Sequence, residues 1–188
     1  MLGKILGIIF LIFIGIFALC SCKVASLADQ EMEEDLRKIR VVVESLVPGT
    51  VVYNCEARHV RREWKRQGQQ IPIPADELQE AIYDQGTYNL FVQGYLGIKN
   101  PDHRQLVGLE YEGGDKVIPF GVNDAMQLLE KEQDLNVFTN KIRSLRPGNI
   151  ETLVSAAYAI KNVDYNKQKI IRDILGVDIM TLVRNNEQ

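Results

Sequence analysis

An α+β fold, predominantly helical and carried behind an N-terminal membrane anchor or signal, is what the sequence predicts, on three observations. Residues 5–19 form an unbroken apolar run behind a single lysine. Beyond it comes a seam of apolar residues spaced alternately four and three apart. The middle of the chain then holds β-prone runs around a Gly-Gly turn, ahead of a last third with helical periodicity. These features divide the chain into residues 1–22 as signal or anchor, 23–47 as an amphipathic stalk helix and 48–188 as one globular domain.

The anchor comes first. Lys4 precedes Ile5–Leu19, a stretch with no charged or strongly polar side chain, which is the layout of a secretory signal. Counted through Cys22 the run reaches 18 residues, just above the roughly 17 that a membrane-spanning helix needs. Asp29, Glu31, Glu33, Glu34 and Asp35 crowd the far side, so the amino terminus stays inside. The domain is therefore expected on the non-cytoplasmic side, periplasmic or extracellular, attached to membrane lipid through its N-terminus. Gly3-x-x-x-Gly7 has the close-packing spacing of membrane helices, but in so short a segment a flexible signal peptide is the preferred explanation.

Leu19-Cys20-Ser21-Cys22 resembles the lipobox of bacterial lipoproteins: a leucine three before the cysteine, a small residue directly before it and an apolar run upstream. The resemblance implies diacylglycerol on the Cys22 thiol, cleavage before it and acylation of the new amino terminus. An uncleaved signal anchor is the alternative. After cleavage Cys55 would be the one cysteine left besides Cys22. A lone cysteine in an oxidising compartment is buried, paired with another chain or reactive, and burial is the expected fate here.

The stalk is read from Met32, Leu36, Ile39, Val43 and Leu46, the seam of an amphipathic helix or short coiled coil and a candidate interface with a partner or a second copy. Its acidic start and the later Arg37, Lys38 and Arg40 suit the helix dipole, and Pro48-Gly49 ends it. A competing reading pairs residues 39–46 and 50–57 as a hairpin around Pro48-Gly49, because Val41-Val42-Val43 favours strands. The helix is preferred.

Farther on, residues 54–66 are read as a helix, 67–74 as an extended connector and 75–84 as a short helix ended by Gly86. Residues 88–96 are aromatic and β-prone. The clearest β signal is 105–111 and 116–122 around Gly113-Gly114, read as a hairpin. A helix capped by Asn123 or Asp124 then runs to about Leu145, where Pro147-Gly148 breaks it. Asn149 opens the next, with Ile150, Leu153, Val154, Ala157 and Ile160 on its buried stripe. Asp164 opens another to about Leu175, and a short helix follows Gly176.

The chemistry-bearing residues are sparse. Cys55 and His59, four apart, would share a helical face, but a metal site needs more ligands than that. Cys55 with His103 and Asp102 would serve a cysteine hydrolase, though neither stands in a recognisable motif. The densest basic cluster is Arg58, Arg61, Arg62, Lys65 and Arg66, beside Trp64, a candidate contact for anionic lipid, an acidic polymer or a partner's acidic face. The acidic residues 29–35 of the same chain are another possible partner. No catalytic residue, metal or cofactor is assigned.

At 188 residues, with 46% hydrophobic and 25% charged residues, the chain fits one folded domain plus an appendage. A net charge of −3 offers no general attraction to nucleic acid. The expected function is therefore a membrane-tethered, non-enzymatic envelope protein, a lipoprotein that serves as a structural or interaction component of an envelope complex. The rivals are a tethered hydrolase of cell wall or lipid and a single-pass signal-anchor subunit of a large membrane complex.

Overall fold

The computed structural model describes residues 35–110, 116–160, 162–179 and 181. The apolar run, Cys22 and Met32 lie outside these. Among the described residues no helix is long and apolar enough to cross a membrane. The chain divides into two compact units, residues 1–39 and 40–188. Of the first, residues 35–38 form one helical turn, in which the Lys38 ammonium lies 3.1 Å from the Asp35 carboxylate.

In the second unit the fold is mixed α+β. Strand β1 (Arg40–Ser45) buries Val41, Val43 and Ser45 while Arg40 and Val42 face out, the period of two that a half-buried strand requires. It pairs antiparallel with β4 (Gln70–Pro74), Val43 opposite Ile71, and on its other side with β5 (Leu96–Gly97), Ser45 opposite Leu96. Pro72 and Pro74 are accommodated because β4 is at the edge of this sheet. A separate antiparallel pair, β2 (Val51–Cys55) and β3 (Val60–Trp64), is joined through a 3-10 turn at Glu56–Arg58 and a left-handed His59. Trp64 is fully buried and links the two sheets: its indole N–H donates to the Val43 carbonyl at 3.1 Å.

The stalk helix through residue 47 is thereby overturned. Val43 and Leu46 are core residues, whereas Ile39 is 37% exposed and Leu36 sits in the turn at 35–38. Three consecutive valines lose rotamer freedom in a helix and pack well on a pleated sheet, and β4 supplies the partner that decides the matter. The hairpin around Pro48-Gly49 is also corrected. Both of its strands form, but β1 pairs with β4 and β5 while β2 pairs with β3. Residues 54–66, read as a helix, are β2, the 3-10 turn and β3, and the connector at 67–74 contains β4.

Two helices lie between β4 and β5 in the chain. Helix α1 (Ala75–Tyr83) forms where expected, with Leu78 and Ala81 buried. Asp84 ends it in extended conformation and caps α2 (Gln85–Val92) by accepting the Thr87 N–H at 2.9 Å. The cap turns residues 88–92 of the aromatic stretch helical, while Leu96 at its end enters β5, and Gly86 belongs to the first turn of α2 instead of closing α1. Helix α3 (Pro101–Leu106) takes the first two residues of the expected hairpin, and 107–110 follow it as a turn. Asn100 accepts the Asp102 N–H, and Pro101 stands in the first turn, where a missing N–H costs nothing. No strand pairing occurs at 107–110 or 116–121, and Gly113-Gly114 lies outside the described residues.

The C-terminal third is helical as predicted. The single helix expected over 123–145 is two, α4 (Val122–Lys131) and α5 (Leu135–Arg143), because Asp134 accepts the N–H groups of Asn136 and Val137 and starts a new helix. Pro147 does not break a helix; it begins α6 (Pro147–Ile160). Asp164 caps α7 (Tyr165–Leu175), and Gly176 ends it with φ 71°. Helix α4 packs on α6 and α5 on α7 around Leu128, Phe138, Ile142, Leu153 and Ile171. Lys167 is buried over the Phe138 ring, and its ammonium donates to the Leu129 carbonyl near the C-terminus of α4, where a positive charge meets the negative end of the helix dipole.

Candidate functional site

The basic cluster is split by the fold. The alternation of β3 sends Arg62 toward α1 and leaves Arg61 exposed, and Lys65 and Arg66 are exposed beyond the strand. Arg62 makes two hydrogen bonds to the Glu77 carboxylate, at 2.9 and 2.6 Å. Arg58, from the 3-10 turn, bonds Asp76 at 2.6 Å and Glu80 at 2.5 Å. The phenol of Tyr53 on β2 donates to Glu77 at 2.9 Å. Two of the five candidate cations are therefore neutralised by the first turns of α1, the end of a helix where carboxylates are already favoured. Trp64, the aromatic beside them, belongs to the core.

Burial by itself would raise the Glu77 carboxyl, but the hydrogen bonds from Arg62 and Tyr53, with the Arg62 and Arg58 charges, outweigh it and hold it below its ordinary value. Burial, then Glu77, pushes the Tyr53 phenol well above its ordinary value. The hydrogen bond to Glu77 raises Arg62, and those to Glu80 and Asp76 raise Arg58. This cluster is a fastening between the β2–β3 pair and α1, built from charges that the fold satisfies internally.

Cys55 and His59 do not share a helical face. Cys55 ends β2 as a buried free thiol, while His59 is exposed in the left-handed turn. His103 is half-buried on α3, Asp102 is exposed beside it, and no hydrogen bond joins either to Cys55. Among the described residues no group of three or more His, Cys, Asp or Glu side chains is placed to hold a metal ion.

A cleft of about 630 Å³ opens instead between α4, the end of α5, the start of α6 and the segment 116–120. Four cations line it: Lys116, Lys131 on α4, Lys141 on α5 and Arg146 before α6. Two carboxylates accompany them. Asp124 accepts the Gly121 N–H at 2.9 Å, and Glu132 lies 3.7 Å from the Lys141 ammonium. Phe91, Phe120, Leu128 and Leu145 make the apolar part of the wall, and Ile118 stands at the cleft 67% exposed.

The wall at Arg146 is fixed by the backbone. Gly148 donates its N–H to the Gln93 carbonyl at 2.9 Å, and one guanidinium N–H of Arg146 donates to the Val92 carbonyl at 2.5 Å. These residues come from separate elements and carry no shared sequence pattern, so no local motif could have pointed to them. No protein-family model, curated protein or solved structure matches this chain.

Proposed function

We propose that this is a membrane-tethered, non-enzymatic envelope protein, held by lipid on Cys22, that works as a structural or interaction component by binding other proteins or a second copy of itself. The observation that carries this reading is the N-terminal sequence itself, Lys4, the apolar run 5–19 and Leu19-Cys20-Ser21-Cys22. A diacylglyceryl group with an additional amide-linked chain supplies more than the single acyl chain whose membrane binding is only marginal. The domain then stays at the surface on the non-cytoplasmic side without a spanning helix. The burial of Cys55 fits a packing role in that setting.

The test is the intact mass of the protein extracted from membranes, beside the Cys22→Ser variant. Loss of residues 1–21 with a lipid-sized gain that disappears in Cys22→Ser supports the tether. A full-length mass without lipid overturns lipidation and leaves a retained N-terminal anchor.

A further inference from the structure

We propose that the cleft between α4, α5, α6 and segment 116–120 binds a small anionic amphiphile, with a phosphate or carboxylate head on its cations and an apolar body against its aromatic and aliphatic wall. Four cations face two carboxylates there, in a chain whose net charge is −3, so the cleft is a positive feature on an acidic protein. The carboxylates are already engaged, Asp124 with the Gly121 amide and Glu132 with Lys141. Lys116 and Lys131 are exposed, and Arg146 is half-buried and oriented by the Val92 carbonyl.

This arrangement differs from that of Arg58 and Arg62, whose charges are spent on α1. A guanidinium already fixed in place loses little freedom when it grips an oxyanion, and lysines around it add point charges. The apolar side chains make a bare inorganic anion an incomplete match. A volume of about 630 Å³ is within the range of small-molecule sites, which pair a mostly apolar wall with a few placed polar groups. Exposure of Ile118 at such a cleft leaves apolar area that an alkyl chain would cover.

Hexyl phosphate is the probe, since it joins both chemistries and is water-soluble. Its binding to the purified full chain is measured by calorimetry, with hexanoate, hexanol and inorganic phosphate in parallel. Saturable binding of one hexyl phosphate per chain is expected, at least tenfold tighter than inorganic phosphate or hexanol, and hexanoate reports which head is preferred. Lys131→Gln with Lys141→Gln should weaken it at least tenfold with the circular dichroism spectrum unchanged, because both side chains are exposed. Ile118→Ser should weaken hexyl phosphate but not inorganic phosphate, and Arg61→Gln, away from the cleft, should change neither. Equal affinity for inorganic phosphate and hexyl phosphate would overturn the amphiphile. Absence of saturable binding, or binding indifferent to the lysine pair, would overturn the site.

Discussion

Arg62 and Glu77 meet through two hydrogen bonds, at 2.9 and 2.6 Å, and so pin strand β3 to helix α1. Fifteen residues separate them, and nothing local in the sequence pairs them. Glu77 is almost wholly buried while Arg62 is about one-third exposed, so replacing the acid by an amide leaves a partly desolvated guanidinium without its counter-charge and sets an NH2 group against one of its N–H donors. Glu77→Gln is expected to cost about 2–4 kcal/mol, measured by urea unfolding. A loss under about 0.5 kcal/mol would mean that water replaces the acid without penalty.

The same carboxylate predicts the acid side of the stability curve. Its folded pKa lies below the ordinary value, so the stabilisation is complete above the ordinary carboxylate pKa of about 4.3 and is lost as pH falls through the lower folded value. Urea midpoints should drop more steeply in the native chain than in Glu77→Gln over that acidic window. Tyr53 gives the opposite limb. Its folded pKa is raised, so its contribution is complete below about 10 and declines as pH rises beyond that. Tyr53→Phe should flatten the alkaline decline.

Gly148 lies so close to Gly94 that a β-carbon built on it would stand 2.5 Å from the Gly94 carbonyl carbon and oxygen and 2.7 Å from the Tyr95 nitrogen. All three neighbours are backbone, so none can swing aside. Gly148→Ala is expected to destabilise by about 1–3 kcal/mol despite the better helix propensity of alanine. It should also weaken hexyl phosphate binding, because Gly94 and Asn149 line the cleft. Gly176→Ala, with open space and φ 71°, should cost about 1–2 kcal/mol from backbone strain and leave that binding unchanged.

Thr152 and Gln67 both donate to the Leu46 carbonyl, at 2.8 and 2.6 Å, joining α6 to the end of β1. Thr152→Val should cost about 1 kcal/mol, because Gln67 still satisfies that carbonyl. Combined with Gln67→Leu, the loss should exceed the sum of the single changes by about 1 kcal/mol or more, since no side-chain donor is then left to Leu46. Additive losses in a double-mutant cycle would show that water takes the place of the donors.

Where an element carries its own boundary chemistry, it was readable in the chain. Helix α7 is announced by Asp164 and closed by Gly176, and α6 by a stripe of apolar residues three and four apart. Asp84 and Asp134 carry the same capping chemistry, yet Asp84 stands at the end of the helix read at 75–84, ahead of a β-prone run, and Asp134 sits inside a stretch that reads as one long helix. The cap prevailed over composition in both.

The sequence by itself determined the apolar N-terminal run, the mixed fold class with a helical last third, and the concentration of cations between Arg58 and Arg66. These depend on residue type and on short-range spacing. Tertiary structure alone decided that Val43 belongs to a strand, because a triple valine with a seam periodicity is compatible with two elements until β4 arrives as a partner. It alone decided that Arg58 and Arg62 are spent on α1 while Lys116, Lys131, Lys141 and Arg146 converge on one cleft. Charge pairing depends on distance in space, and residues far apart along the chain acquire that distance only when the elements pack.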